Sequence, residues 1–354
     1  MFRGLMHRMA NDSKRPDVKK KLFFLLLYFL AAVPRLQGQD LNKMLRLYDD
    51  NDGLNIRFLP TDQAYTNGFR LDLFYTKDHP DHFFLDRWAP KAGKESVQTY
   101  GWSATQLMFT PDSLTDYDYR PDDYAYSAAL YATHSVYAFN PVKHYAIFSE
   151  LILGVRGPAA GGEASQRFIH RLFRFERPHG WSHQLENKFL VNLNMRFEKQ
   201  LAQWGPHVEL SGGTQASAGT MFSGLSLYPL LRIGKMHNYY KGYIQQFSDV
   251  RPAKSRRPRV LQAYIVFRPE VQWVINNSLL DGQLKAQDPE DEYKTLTVNR
   301  PRAGIQKLVY GLNYGGVISL GAFGLSYMQN TSTALLKHGY SHEYGNISIY
   351  YSFR

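Results

Sequence analysis

The side chains best suited to chemistry fall in two short stretches of the sequence. In the first, Asp49-Asp50-Asn51-Asp52-Gly53 is followed by Thr61-Asp62-Gln63-Ala64-Tyr65-Thr66-Asn67-Gly68. Carboxylate and amide oxygens beside a glycine turn suit a hard cation such as calcium, which takes about six to eight oxygen ligands. The spacing lacks the glutamate that closes an EF-hand loop, and the same residues also suit a polar loop with Asx turns at a strand end. In the second stretch, Glu163, Gln166 and His170 recur at helical spacing on one face. Imidazole is the side chain best able to exchange a proton near neutral pH. The chain has no cysteine and no GxSxG-like elbow, so a histidine base would activate water or a hydroxyl directly. A bound cation would then polarise an ester carbonyl and stabilise the oxyanion. A lone helical histidine also serves as a packing or surface residue, and spacing alone leaves both readings open. His179 and His183 flank Trp181 at metal-ligand spacing, but Pro178 and Gly180 beside them oppose the helix such a pair needs.

The elements that must position these residues are mostly strands. Phe69, Leu71, Leu73 and Tyr75 alternate with Arg70, Asp72, Phe74 and Thr76, and Ile347, Ile349, Tyr351 and Phe353 alternate with Asn346, Ser348, Tyr350 and Ser352. Segments of this kind are expected near residues 45–58, 66–76, 99–109, 123–137, 143–156, 189–199, 205–216, 219–232, 261–278, 303–314, 317–328 and 344–353. An even number of strands closes into a barrel without free edges. Segments 77–97, 233–258 and 280–302 are polar or proline-rich and read as long loops, and Arg251 to Arg259 is a basic run. That run suits either a solvated loop or contact with lipopolysaccharide phosphate. One stretch breaks the pattern: after the Gly161-Gly162 turn, Glu163 to about Phe175 has helical spacing with Phe168, Ile169, Leu172 and Phe173 on an apolar face, and Pro178 and Gly180 end it.

Composition agrees with a barrel. Aromatic residues make up 15% of the 354, with 25 Tyr and 22 Phe, yet the mean hydropathy is −0.41. Many aromatics without net hydrophobicity is the signature of strands that alternate between lipid and lumen. Absence of cysteine excludes thiol nucleophiles and thiolate metal sites. The formal charge of +11 suits phosphates and acidic sugars, and no nucleic-acid motif accompanies it. Lys19, Lys20 and Lys21 precede an apolar run from Leu22 to Val33, with Leu36-Gln37-Gly38-Gln39 soon after. This reads as a secretory signal over residues 1–39, with Met6 and Met9 as alternative starts. The run is too short for a helical span, which needs about 20 residues.

The two chemical stretches resemble the outer-membrane lipid A 3′-O-deacylase family. Asn51-Asp52 and Tyr65-Thr66-Asn67-Gly68 look like its first hallmark. Gly157-Pro158-Ala159-Ala160-Gly161-Gly162-Glu163, Gln166, His170, Gly180-Trp181, Gln184-Leu185 and Asn187 look like its second, which is long and specific. A weaker match is Gln106 with Thr110-Pro111, then Asp123 to Ser127. The resemblance implies a transmembrane antiparallel β-barrel of about twelve strands over residues 40–354, with a short helix between strands 5 and 6. It also implies a calcium-dependent ester hydrolase that removes the 3′-linked acyloxyacyl chain of lipid A in the outer membrane. His170 would be the general base, Asn51, Asp52 and Thr66 the metal and substrate site, and Gln166 would orient His170 or the ester. The chain departs from enterobacterial members in having no lysine after Pro111 and Pro178 where they carry a tyrosine. The family's Asp-Arg is here Asp123-Tyr124, with Tyr117, Tyr119 and Arg120 as candidate substitutes. A monomer is expected, with lipopolysaccharide and outer-membrane lipid as partners and no nucleic acid. A phospholipase or lipase using the same residues, and a catalytically silent structural barrel or pore, are the competing readings.

Overall fold

The computed structural model describes residues 42–56, 64–77, 83–117, 120–237, 261–282, 304–337 and 339–353. The expected signal segment, the basic run 251–259 and most of the expected loops 233–258 and 280–302 lie outside them.

Twelve strands follow one another: β1 Lys43–Asn51, β2 Ala64–Tyr75, β3 Val97–Thr110, β4 Ser127–Asn140, β5 Tyr145–Arg156, β6 Lys188–Trp204, β7 Val208–Gly219, β8 Phe222–Lys235, β9 Gln262–Asn277, β10 Leu308–Leu320, β11 Phe323–Ser332 and β12 His342–Phe353. Each pairs antiparallel with its sequence neighbours, and β1 pairs with β12 from Lys43–Phe353 to Asn51–Gly345, so the barrel is closed. Closure removes every free edge, which lets a sheet stand in lipid with its backbone groups satisfied. Two helices interrupt the strands: α1, Phe84–Trp88, between β2 and β3, and α2, Gly162–Phe173, between β5 and β6. No helix among the described residues is long and apolar enough to cross a membrane.

The period-2 alternation sorts the side chains. Leu45, Leu47, Leu71, Leu73, Leu153, Leu193, Phe197, Leu227, Ile265 and Phe267 are exposed on the outer wall. An apolar belt of this extent is stable only against lipid or a partner surface. The lumen is polar and packed. Arg46 donates from Nε to Asp72 Oδ2 at 2.7 Å, and Arg70 donates from Nε to Asp72 Oδ1 at 2.5 Å. Ser103 donates to Asp72 at 2.5 Å, while Arg70 reaches Glu150 at 3.4 Å and Asn194 donates to Glu150 at 2.9 Å. This network runs from β1 to β6 inside the barrel, each buried charge facing an opposite one, as burial requires.

The helix α2 lies outside the barrel. Ser103 faces the lumen through its bond to Asp72, so alternation turns Trp102, Gln106, Met108 and Thr110 outward on β3, and the register carries this to Ala128 and His134 on β4. Met108 and Ala128 are buried with Ala160 and Trp181, which belong to the α2 connection. The segment 157–187 therefore folds down against the outer wall. Its glycines have specific reasons: Gly157 has φ +102°, and a Cβ on Gly162 would stand 2.3 Å from Ala128 Cβ and 2.7 Å from the Trp181 ring.

The segment expected to be a plain loop at 77–97 contains α1, which is likewise laid on the exterior. His134, an outward position in the middle of β4, is 2% exposed because α1 covers it. Its Nε2 meets Asp86 Oδ1 at 2.6 Å, and Lys77 Nζ donates to Asp86 Oδ2 at 2.7 Å. Phe83 and Trp102 pack on the imidazole. An outward histidine at mid-wall would otherwise meet lipid, where an ionisable side chain is costly.

Candidate active site

The Gly157–Asn187 signature is first a set of fastenings. Gly157 N donates to Ala128 O at 2.8 Å, Leu185 N to Tyr126 O at 2.9 Å, and Ala159 N to Asn187 Oδ1 at 2.9 Å. Gln106 of β3 donates from Nε2 to Ala160 O at 2.6 Å. These bonds fix where α2 starts, and α2 then presents Gly162, Gln166 and His170 to the wall as its buried residues. Its apolar residues face the other way: Phe168 is 62% and Leu172 61% exposed.

Gln166 and His170 are held in defined orientations. Trp181 Nε1, which can only donate, gives its proton to Gln166 Oε1 at 2.7 Å. That contact fixes the amide, so Gln166 Nε2 is the donor end, and it is buried with no hydrogen-bond partner among the described residues. An unsatisfied buried amide N–H₂ costs about 1–3 kcal/mol, so this donor is open to a ligand or water. One turn later, His170 Nδ1 lies 2.5 Å from the Glu176 carbonyl oxygen. A carbonyl only accepts, so Nδ1 carries the proton and the lone pair of the neutral ring is on Nε2. That is the tautomer a general base needs. Beside His170 is a cavity of ≈ 310 Å³ bounded also by Arg167, Arg171, Phe175, Arg177 and Pro178.

Asn51, Asp52 and Thr66 gather at the same end of the barrel, on the rim of β1 and β2. Asn51 ends β1 and accepts from Gly53 N through Oδ1 at 2.8 Å. Asp52 opens a 3₁₀ turn, is 1% exposed, and its carbonyl accepts from Asn55 Nδ2 at 2.6 Å. The pairing of β2 with β3 slips between Tyr65 and Asn67. This bulge has a chemical consequence. Tyr65 turns inward to donate to Asp50 at 2.9 Å, whereas Thr66 bonds the outward Thr110 at 2.6 Å and Asn67 donates to Asp49 at 3.1 Å. One extra residue thus places two consecutive polar side chains on the exterior. Ordinary alternation along β1 divides the acidic run: Asp50 faces the lumen, bonded to Tyr48, Tyr65 and Asn346, and Asp49 faces out.

The two halves approach each other through β3, where Thr110 bonds Thr66 and Gln106 bonds the start of α2. The oxygens on the β1–β2 side come from carboxylate, amide and hydroxyl groups without imidazole or thiol, a donor set suited to calcium and poorly suited to zinc. No group of three or more His, Asp or Glu side chains gathers for a metal among the described residues. The side chains there able to offer oxygens to a cation are those of Asn51, Asp52 and Thr66.

The sequence profile described as outer membrane protein LpxR matches residues 22–353. The chain belongs to that family. Its fold is that of LpxR from Salmonella typhimurium, with 20% identity, a TM-score of 0.68, and coverage of 88% of this chain and 100% of that one. More distant barrels include the beta domain of the Bordetella autotransporter BrkA, at 10% identity and TM-score 0.38 over 88% and 99% of the two chains. The translocator domain of NalP from Neisseria meningitidis aligns at 7% identity and 0.39 over 96% and 99%. At those scores neither bears on the site. No curated protein matches the sequence. Membership of the LpxR family places the chain in the outer membrane. The turns at 141–144, 205–207 and 321–322 lie at one end of the barrel, and the connection that carries α2 lies at the other.

Of the candidates for the family's missing lysine and arginine, Tyr117 stacks on His179 with ring centres 4.3 Å apart, and Arg120 pairs with Asp116. Tyr119 lies outside the described residues. Pro178 lines the cavity. Burial lifts the Asp123 carboxyl above its usual range, although it accepts from the backbone of Asp112 and Tyr124. His342 escaped the sequence reading: 4% exposed at the start of β12, it donates from Nε2 to the Tyr65 carbonyl at 2.9 Å. It thereby pins the bulge that presents Thr66.

Proposed function

We propose that the protein is a lipid A 3′-O-deacylase, an ester hydrolase of the outer leaflet that releases the 3′-linked acyloxyacyl chain. The observation that carries this reading is the pairing, one turn apart on α2, of a histidine held in its base tautomer with a buried amide donor that has no partner among the described residues. In the proposed reaction His170 Nε2 takes a proton from water as the water attacks the ester carbonyl, and returns it to the departing sugar oxygen. Nδ1 remains bonded to the Glu176 carbonyl, which stabilises the imidazolium formed in between. Gln166 Nε2 donates to the carbonyl oxygen as it gains charge. Asn51, Asp52 and Thr66 would hold calcium. Calcium bound there would polarise the carbonyl and stabilise the oxyanion.

The surroundings support a lipid substrate. The site lies between α2 and an exterior wall, and the exposed Phe168, Ile169, Leu172 and Phe173 point away from the barrel into the acyl layer. A soluble substrate would gain nothing from such a face. A pore reading finds less support, because paired charges fill the lumen beside β1 to β6. The exported, signal-cleaved form over residues 40–354 acting as a monomer is part of the proposal. Purified protein should release fatty acid from lipid A in the presence of calcium, and His170→Ala should release at least a thousandfold less. Release from phospholipid in place of lipid A would transfer the reading to a phospholipase. Undiminished release by His170→Ala would remove the histidine from the mechanism.

A further inference from the structure

The cavity beside His170 carries more charge than ester hydrolysis requires. Three of its lining residues are Arg167, Arg171 and Arg177, the first two one turn apart on α2 and the third on the chain that returns past it. Glu163 accepts from Arg167 Nη2 at 2.7 Å. Arg167 Nε is nonetheless buried without a hydrogen-bond partner, and neither Arg171 nor Arg177 has a carboxylate partner among the described residues. Three guanidinium groups less one carboxylate leave two positive charges on the rim of a cavity of ≈ 310 Å³. Like charges gathered without counter-ions repel, so the arrangement favours an anion between them. Guanidinium forks match the oxygens of a phosphate better than any other common anion.

We infer that this cavity, walled by Arg167, Arg171 and Arg177 next to His170, is a phosphomonoester subsite. It takes a phosphate carried on the sugar position adjacent to the ester under attack. The inference rests on the deacylase reading for its substrate and adds the determinant that selects it. A phosphomonoester carries close to two negative charges near neutral pH, matching the surplus on the rim, whereas a phospholipid diester carries one. Because the cavity and His170 share a wall, a phosphate seated there fixes the ring beside it and brings the neighbouring ester to the imidazole. The outward face of α2 then accepts the acyl chains. The subsite thus separates phosphorylated glycolipid from the bulk phospholipid that surrounds the same helix.

The test compares purified bisphosphorylated lipid A with lipid A lacking the 4′-phosphate, using the full protein in detergent micelles. Binding is measured on His170→Ala and turnover on the wild type. Loss of the phosphate should weaken binding by about tenfold or more, the scale of two charge-assisted contacts at a half-exposed site. The double variant Arg171→Gln/Arg177→Gln should weaken binding of the phosphorylated lipid by a similar factor and leave the dephosphorylated lipid unchanged. Arg174→Asn, which alters an exposed arginine outside the cavity, should change neither. Inorganic phosphate added alone should compete only at millimolar concentration; competition at micromolar concentration would assign the cavity to free phosphate and overturn the lipid assignment. Equal binding and equal turnover of the two lipids, untouched by the double variant, would overturn the subsite while leaving the deacylase reading intact. Discrimination between the lipids without any hydrolysis would sustain the subsite and overturn the deacylase reading. Native-like heat-modifiable migration in electrophoresis confirms that each variant has folded.

Discussion

Replacing Gln166 with glutamate separates the two things its amide does. Oε1 accepts from Trp181, whose ring is fully buried, at 2.7 Å, while Nε2 is buried without a partner. Glutamate keeps the shape and the acceptor, so the indole N–H stays satisfied; the ionised carboxylate offers no donor and sets a negative charge against the oxyanion, so loss of the donor is the least it costs. If Nε2 donates to the developing oxyanion, its loss costs what removal of such a donor costs elsewhere, about 2.7–4 kcal/mol. At about 1.36 kcal/mol per factor of ten, kcat should fall by roughly a hundredfold to a thousandfold with KM little changed. Two controls bracket the result. Gln166→Met removes both functions and leaves the indole N–H unsatisfied, adding a stability loss of about 1–3 kcal/mol. Trp181→Phe deletes the fastening and keeps the amide, so it should lower stability more than activity. The assay is initial-rate release of fatty acid from lipid A in mixed micelles, followed by mass spectrometry, beside thermal unfolding of each variant. Gln166→Glu working within about threefold of wild type would refute the reasoning and reduce Gln166 to a support for Trp181.

Other consequences are more local. His342→Leu removes the donor to the Tyr65 carbonyl and loosens the bulge at Thr66; half-saturation by calcium should rise about tenfold, the scale of a lost outer-shell contact, which a calcium titration of activity reads directly. His134→Leu leaves Asp86 and Lys77 buried under α1 without the imidazole. Asp86 keeps its pair with Lys77, so the loss is one buried hydrogen bond to a charged group, about 1.5–3 kcal/mol of stability, seen as a lower temperature of heat modification, with turnover on the distant α2 site unchanged below that temperature. Phe168→Ser/Leu172→Ser should leave hydrolysis of lipid A in small detergent micelles intact and slow it in vesicles, because only the exposed face of α2 changes.

The barrel was legible wherever side chains alternate. The segments expected at 261–278 and 344–353 are β9 and β12 to within a residue or two. The segments expected at 303–314 and 317–328 are β10 and β11, displaced several residues toward the C-terminus. Gly311, Gly315 and Gly316 offer no side chains to alternate there, and the turn that sets the register is at Gly321, with φ +62°. The helix was legible too, but the direction of its faces was not. A helix on a water-facing protein buries its apolar stripe, whereas α2 sits on a wall that faces lipid and buries Gln166 and His170 instead. His134 read as one polar residue in a β pattern; its partner Asp86 lies 48 residues earlier, in a stretch without strand periodicity. The bulge at Thr66 was invisible for a similar reason, since a strict period of two places Thr66 and Asn67 on opposite faces. What the sequence did carry was the Gly157–Asn187 stretch, whose bonds fasten α2 to the wall and orient Gln166 and His170.

The account stands most directly on what happens to lipid A in a membrane that contains this protein. Mass spectrometry of lipid A from outer membranes expressing the chain, with calcium and after its chelation, compares the two states in one preparation. Loss of the mass of the 3′ acyloxyacyl chain with calcium, reversed by chelation and absent with His170→Ala, is the expected result. An acyl pattern unchanged in every condition, with the protein folded in the membrane, would contradict it.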